Sequence, residues 1–350
     1  MQSKIHLLHL ITGLGCGGAE KMVFQLCKYS DAEQFKISVV GINGTDYFFS
    51  KLNRLPINLS ILGLNKNPFI FFNGVRSLNK FIRNHKIQII HAHLFHAMVM
   101  ACIVKILNPK IEILWTSHSS GMISKFRSLI VYFTRLLRRQ DIILQTHLRL
   151  WYNTYIFSVI PNGIEPPIDF KSLPKFDIFT FISVGSLNKF KNHIFLIDLF
   201  SKINSFDFKL LIVGSGPEEK ILKNRINELG LSEKIILLGE QEDVFALMTQ
   251  SHCFLLPSLR EGLPLTILES AYAKLPVITS SIISLQNLIS KDEGYVVPFN
   301  QFEETIYLVV NNYSQAEEKS KRFYVRAKND FNILKCTKNH EQLYRFVLNA

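Results

Sequence analysis

Two carboxylates eight residues apart, Glu261 and Glu269, stand in the run Pro257-Ser258-Leu259-Arg260-Glu261-Gly262-Leu263-Pro264-Leu265-Thr266-Ile267-Leu268-Glu269. An apolar stretch, Cys253–Leu256, precedes it and reads as a buried strand. Pro264 suits a helix start and Gly262 the loop before it. Backbone near Gly262, Leu263, Pro264 and Leu265 then forms a helix N-terminus, where amides and the helix dipole favour an anion. Glu261 in the loop and Glu269 one turn further could grip hydroxyls on either side of a phosphate, one on a sugar ring and one on a ribose. Without such a context, two glutamates eight apart carry little.

Other residues could serve the same ligand. Val184-Gly185-Ser186-Leu187-Asn188-Lys189-Phe190-Lys191-Asn192 follows a predicted strand, and Lys191 could reach a diphosphate. A solvent-facing lysine is the bland alternative. Near the start, Gly13, Gly15 and Gly18 fit G-x-G-x-x-G, the dinucleotide fingerprint. The second strand ends Val39-Val40-Gly41-Ile42-Asn43, with no acid to hold a ribose; the nearest is Asp46. The safer expectation is a Gly-rich loop at a helix N-terminus, with Gly17 and Gly18 suited to a phosphate or sugar; a tight turn without ligand stays open.

Histidines cluster in His91-Ala92-His93-Leu94-Phe95-His96 and return at His118, in both cases after predicted strands. Open α/β sheets bind ligands at such places. No cysteine or carboxylate accompanies them and the spacing fits no zinc helix, so no metal is expected. His118 is the one expected to face substrate, and hydrogen-bonded structural roles are expected for the rest.

The segment Gly121–Arg139 places Met122, Ile123, Phe126, Leu129, Ile130, Phe133, Leu136 and Leu137 on one helical face. Lys125, Arg127, Arg135, Arg138 and Arg139 lie on the other. Such a helix can lie in an anionic membrane interface, or it can bury its apolar face in a core.

These residues need elements to hold them. The 350 residues are 47% hydrophobic and 19% charged, a globular balance that excludes disorder and a multi-span membrane protein. The length fits two domains. Strands are expected at Ile5–Ile11, Lys36–Val40, Ile87–His91, Ile111–Thr116, Phe179–Val184, Lys209–Val213, Lys234–Leu238, Cys253–Leu256 and Val277–Thr279. Helices are expected near Gly18–Tyr29, His193–Ile203 and Glu218–Leu229. Short apolar strands alternating with amphipathic helices predict parallel sheets covered on both faces, hence two doubly wound α/β domains. Pro161-Asn162-Gly163-Ile164-Glu165-Pro166-Pro167 marks the boundary, with a hinge at residues 164–176.

The net charge of +12 is unevenly spread: residues 1–170 carry 19 Lys/Arg and 8 Asp/Glu, residues 171–350 carry 21 and 20. An anionic partner would meet the first half. The five cysteines include no CxxC pair, which argues against a disulfide framework and fits a reducing cytosol. No signal peptide is expected, because the run Ile5–Leu10 is short and interrupted by His6 and His9. No stretch reaches the roughly 18 apolar residues that span a bilayer.

Taken in order, these segments resemble the retaining glycosyltransferases of family 4, whose fold is GT-B. The matching pieces are Gly17-Gly18-Ala19-Glu20, Pro161-Asn162-Gly163-Ile164, Val184-Gly185 with Lys191-Asn192, Val213-Gly214-Ser215-Gly216-Pro217, Leu238-Gly239, Pro257-Ser258 through Glu261 to Glu269, and Gly294-Tyr295-Val296-Val297-Pro298. The resemblance runs from Gly13 to about Pro298, and Glu-(seven residues)-Glu is its most specific element.

The resemblance implies two Rossmann-like domains facing a cleft: an acceptor-binding one over residues 1–164, a nucleotide-sugar-binding one over 165–335, and a final helix, 336–350, crossing back to the first. It implies that Glu261 contacts the transferred sugar and Glu269 the ribose. Lys191, with the helix end Gly262–Leu265, neutralises the departing diphosphate, and Gly185 and Ser186 are among the donor-binding residues. Gly239 borders the base, Gly17 and Gly18 approach the diphosphate on closure, and His118 lies near the sugar's reactive face. No metal or other cofactor is implied.

Three positions depart from the family. Ser186 stands where Arg is common, Pro264 where Gly is usual, and Ile283–Asn287 lacks a Gly-Gly-x-x-Glu segment. The departures bear on donor identity and rate more than on fold.

The expectation is therefore a hexosyl or N-acetylhexosaminyl transferase using a nucleoside-diphosphate sugar, most simply UDP-linked. Its acceptor would be a lipid-linked glycan of bacterial surface polysaccharide or lipopolysaccharide. The enzyme would be cytoplasmic and peripheral on the inner face of the membrane, with no nucleic-acid partner. A GT-B nucleotide-sugar epimerase, an NAD-dependent oxidoreductase and a non-catalytic sugar-nucleotide or lipid-binding scaffold are the competing classes.

Overall fold

The computed structural model describes residues 4–44, 47–64, 68–122, 124–166 and 173–349. Asp46, Ile123 and residues 167–172 of the expected hinge lie outside them. The chain divides into two compact units, residues 1–165 with 333–350, and residues 166–332.

In the first unit the strands are β1 (Ile5–Ile11), β2 (Phe35–Gly41), β3 (Asn58–Ile61), β4 (Ile89–His93), β5 (Glu112–Thr116), β6 (Gln140–Ile143) and β7 (Phe157–Val159). They form one parallel sheet in the order β3-β2-β1-β4-β5-β6-β7. Strands β1, β2, β4 and β5 are buried along most of their length, as a parallel sheet covered on both faces requires. One such layer packs Leu8, Leu10, Ile90 and Trp115 against Met98, Ala101 and Val104 of the helix Leu94–Leu107.

The second unit holds β8 (Phe179–Val184), β9 (Phe208–Val213), β10 (Ile235–Gly239), β11 (Cys253–Leu256), β12 (Val277–Ser280) and β13 (Tyr295–Val297). Its parallel sheet runs β10-β9-β8-β11-β12-β13. Phe181, Phe200 and Phe208 meet in its core with ring centroids 4.9 Å apart for each successive pair, a spacing at which aromatic pairs add to simple burial.

Both sheets reverse strand order at an inner strand: between β1 and β4 in the first, and between β8 and β11 in the second. Such switch points open a crevice at the strands' carboxyl ends. The expected α/β alternation is thus present twice. Strand β4 starts two residues later than its expected position, so His93 lies within the strand rather than after it. The final helix spans Ile333–Asn349 and belongs to the first unit, where Tyr344 is buried.

The segment Gly121–Arg139 is not a single amphipathic helix. A helix spans Lys125–Phe133 and a 3₁₀ turn spans Thr134–Leu137. The tighter turn shifts the phase, and the chain then enters β6 almost at once. Arg138 is therefore not a surface cation. Its side chain is 0% exposed and pairs with Asp141 at 2.8 Å. It also donates to the carbonyls of Val131 and Tyr152. Asp141 further accepts from Asn153 Nδ2 and the amide of Thr154. A buried guanidinium needs this complete set of acceptors.

Candidate active site

At the switch point of the second sheet, strands β8 and β11 are neighbours, and the two loops that leave them meet. The amide of Leu259 donates to the carbonyl of Phe190 at 2.7 Å. Asn192 Nδ2 donates to the carbonyl of Pro257 at 3.3 Å. Across this join, Lys191 Nζ lies 2.6 Å from Glu261 Oε1, with side chains 17% and 10% exposed. Ser258 Oγ donates to the same carboxylate oxygen at 2.6 Å. Glu261 is thus fixed from two sides, and Lys191 is held at the mouth of the crevice.

Glycines shape the floor of this crevice. Gly214, after β9, has φ +136°, and a Cβ there would lie 2.1 Å from the carbonyl oxygen of Gly185. Gly239, the last residue of β10, has φ +67°, and its carbonyl accepts from the amide of Gly214 at 2.8 Å. Glycine lets the backbones of these strand ends pack directly against one another. Ser186 is exposed and its hydroxyl accepts from Asn188 Nδ2 at 2.9 Å.

Pro264 caps the helix Leu265–Tyr272 in extended conformation. Gly262, Leu263, Pro264 and Leu265 are buried, with Glu269 half-buried one turn on. Where the Gly-Gly-x-x-Glu segment is lacking, a short helix spans Ile283–Gln286. Beside the loop, His193 is buried with neither ring nitrogen partnered. Burial, with Lys191 nearby, holds it down to about 4, so it is neutral at physiological pH.

In the first unit, Gly17 caps the helix Gly18–Tyr29, accepting from the amide of Lys21 at 3.0 Å. His118 follows β5 with φ +60° and lines a small cavity with Ser117, Ser119, Tyr152 and Asn153. Behind it lies a buried group that sequence patterns place only in part. His91 contacts Thr116 Oγ1 and Tyr344 Oη, each at 2.8 Å. His93 contacts His118 at 2.9 Å and His9 at 3.0 Å. His340 joins from the final helix, its ring stacked at 5.6 Å from that of His91. The signal for His9 was its interruption of an apolar strand; nothing local in the sequence points to His340 or Tyr344. Among the described residues, His9, His91 and His93 bring ring nitrogens within 4.8 Å of one another. Five of their six nitrogens are already in hydrogen bonds, His9 Nε2 being the sixth.

The expected basic-helix residues separate. Lys125 and Arg139 are exposed, Arg127 lies over Phe95 at 5.0 Å, and Arg135 lies over Tyr132 at 4.0 Å and Tyr155 at 4.9 Å. Around them, Phe126 (72%), Phe133 (71%) and Leu136 (87%) are exposed rather than packed into a core, as are Trp151, Tyr155 and Ile156. Among the described residues no helix is long and apolar enough to cross a membrane.

Two doubly wound parallel sheets, the second carrying a glycine-rich, lysine-bearing loop at its switch point, are the architecture of the GT-B class. Comparison with known proteins agrees. Residues 16–166 match the family described as Glycosyltransferase Family 4, and residues 166–330 match Glycosyl transferases group 1. A relative named as an uncharacterized glycosyltransferase from Haemophilus influenzae is 26% identical, covering 87% of this chain and 91% of its own. The Escherichia coli UDP-Gal:alpha-D-GlcNAc-diphosphoundecaprenol alpha-1,3-galactosyltransferase is also 26% identical, covering 98% and 97%. Among solved structures, Anabaena Alr3699/HepE in complex with UDP and glucose superposes with a TM-score of 0.82 at 16% identity, covering 97% and 99%. The chain belongs to glycosyltransferase family 4 and is a transferase enzyme.

Proposed function

We propose that this enzyme is a retaining glycosyltransferase. It moves a hexose or N-acetylhexosamine from a UDP-sugar to a lipid-linked glycan acceptor in bacterial surface polysaccharide or lipopolysaccharide synthesis. The observation that carries the donor site is the Lys191–Glu261 contact at the β8/β11 switch point. Breaking a glycosyl–phosphate bond leaves positive charge on the sugar and negative charge on the diphosphate. Lys191 and the amides before Leu265–Tyr272 answer the second; Glu261 holds a sugar hydroxyl, and Glu269 holds the ribose. In same-face attack the leaving phosphate takes the acceptor's proton, so no protein nucleophile is needed. Preorganised charges of this kind supply the main lowering of the barrier. Gly185, Ser186 and Gly239 line the donor, His118 contacts substrate, and no metal or other cofactor takes part.

The lipid-linked acceptor is supported by the Escherichia coli relative, named for a diphosphoundecaprenol acceptor. It is supported too by the exposed side chains of Phe126, Phe133, Leu136, Trp151 and Tyr155 in the part of the chain that carries Lys125, Arg135 and Arg139. Aromatic side chains with cations between them suit the headgroup layer of an anionic membrane. The placement proposed is peripheral, on the cytoplasmic face. The test is transfer from UDP-hexoses and UDP-N-acetylhexosamines to undecaprenyl-diphosphate-linked sugars. Product with the anomeric configuration of the donor supports the reading, and inversion or absence of transfer across the panel contradicts it.

A further inference from the structure

A file of three histidines in the first unit ends at His118. His9 Nδ1 meets His93 Nε2 at 3.0 Å, and His93 Nδ1 meets His118 Nε2 at 2.9 Å. His9 and His93 are fully buried on the adjacent strands β1 and β4. Burial is the main cause that lowers all three: His9 and His118 to about 3, and His93 well below the ordinary histidine value. Near pH 7 each ring is neutral and offers one donor and one acceptor.

Two contacts in series then allow only two arrangements. If the protons point inward, His9 keeps an N–H at Nε2. If they point outward, His9 keeps a lone pair there and His118 carries its proton on Nδ1. His9 Nε2 is buried and without a partner. An orphaned buried N–H is the rarer kind of orphan in native proteins, so the outward arrangement is favoured. The middle ring is also held in place, since His91 lies 4.0 Å from His93 between centroids and is itself fixed by Tyr344 and Thr116. His118 sits in the left-handed region, a strained backbone of the kind found where a side chain must be aimed.

We infer that His93 and His9 are positioning residues that hold His118 as its Nδ1–H tautomer, so that Nδ1 is the donor it presents to substrate. The tautomer stands independently of the transferase reading; its consequence for turnover rests on that reading.

Histidine-selective ¹⁵N labelling of the ligand-free protein reads the tautomer, with His118→Gln assigning the signal. The expected spectrum shows a single Nδ1–H form of His118. His93→Leu should give a mixture of tautomers. His93→Asn, whose amide nitrogen can replace Nδ1, should restore the single form. A wild-type Nε2–H form or mixture overturns the inference, as does a His118 signal that His93→Leu leaves unchanged. One equivalent of zinc in the purified protein also overturns it. Should His93→Leu fail to fold, the wild-type and His93→Asn spectra still decide. In transfer assays His93→Leu should lower kcat about tenfold with KM little changed, and His93→Asn should recover it; equal kcat in both variants contradicts a positioning role. Loss of the transferase reading would appear as absent turnover in every protein, with the tautomer still readable.

Discussion

Lys191 and Glu261 stand 70 residues apart in sequence and 2.6 Å apart in the fold. Each is visible as a residue after a strand. Their meeting is not, because it depends on β8 lying beside β11, and strand order is a property of the whole sheet. Removing Lys191 takes away the cation proposed for the diphosphate and leaves Glu261 with Ser258 alone. A charged hydrogen bond is worth about 1.5–3 kcal/mol, so Lys191→Ala should weaken UDP binding about 10- to 100-fold by calorimetry; unchanged affinity would place the diphosphate elsewhere. Arg138 makes the opposite case. Sequence spacing sets it among the membrane-facing cations, whereas the structure pairs it with Asp141 out of solvent. Breaking a buried pair costs about 3–5 kcal/mol. Arg138→Ala should lower urea-unfolding stability by that amount, and Arg139→Glu should lower it hardly at all. Equal effects would contradict the burial of Arg138.

At the scale of elements, nine of the thirteen described strands were legible as short, largely apolar runs of the kind a parallel sheet buries on both faces, whereas β3, β6, β7 and β13 were not expected. The segment Lys125–Leu137 was not legible, because a helical wheel cannot show where a helix tightens into a 3₁₀ turn. The result is an apolar face turned outward. Phe133→Ser with Leu136→Ser, or Arg135→Glu with Arg139→Glu, should reduce sedimentation with phosphatidylglycerol vesicles while leaving UDP binding intact. Retained vesicle binding in both pairs would remove this surface from the account. The loops after β8 and β9 make a second element-scale prediction. A methyl group at Gly214 would collide with the carbonyl of Gly185. Gly214→Ala should therefore cost about 1–3 kcal/mol in backbone strain and weaken UDP binding by shifting the Gly185–Lys191 loop. Full UDP affinity in this variant would show that the loop does not form the donor site.

Across the whole molecule, two sheets with the same winding were predictable from the restart of the strand–helix pattern after the Pro-rich boundary. The return of the final helix to the first unit was an expectation of the family resemblance, whereas the placement of His340 and Tyr344 beside His91 had no local signal. That buried group has a consequence for pH. His9 and His340 are held to about 3 and 4, chiefly by burial, and His91 and His93 are also strongly lowered. The unfolded chain therefore binds protons that the folded chain refuses once the pH falls below about 6.5. Stability should be flat above pH 7 and decline below 6.5, with a slope approaching about 1.4 kcal/mol per pH unit for each buried histidine. Urea midpoints at pH 7.5 and 5.5 measure it, and equal midpoints would mean that the histidines are open to water.

The donor site is tested most directly by thermal unfolding of the wild type and Lys191→Ala with UDP, GDP, ADP and NAD. A ligand bound only by the folded state adds about 2.7 kcal/mol at a hundred times its dissociation constant. The account predicts a rise in Tm with UDP that shrinks in Lys191→Ala. A rise with NAD alone, or a UDP shift equal in both proteins, would contradict it.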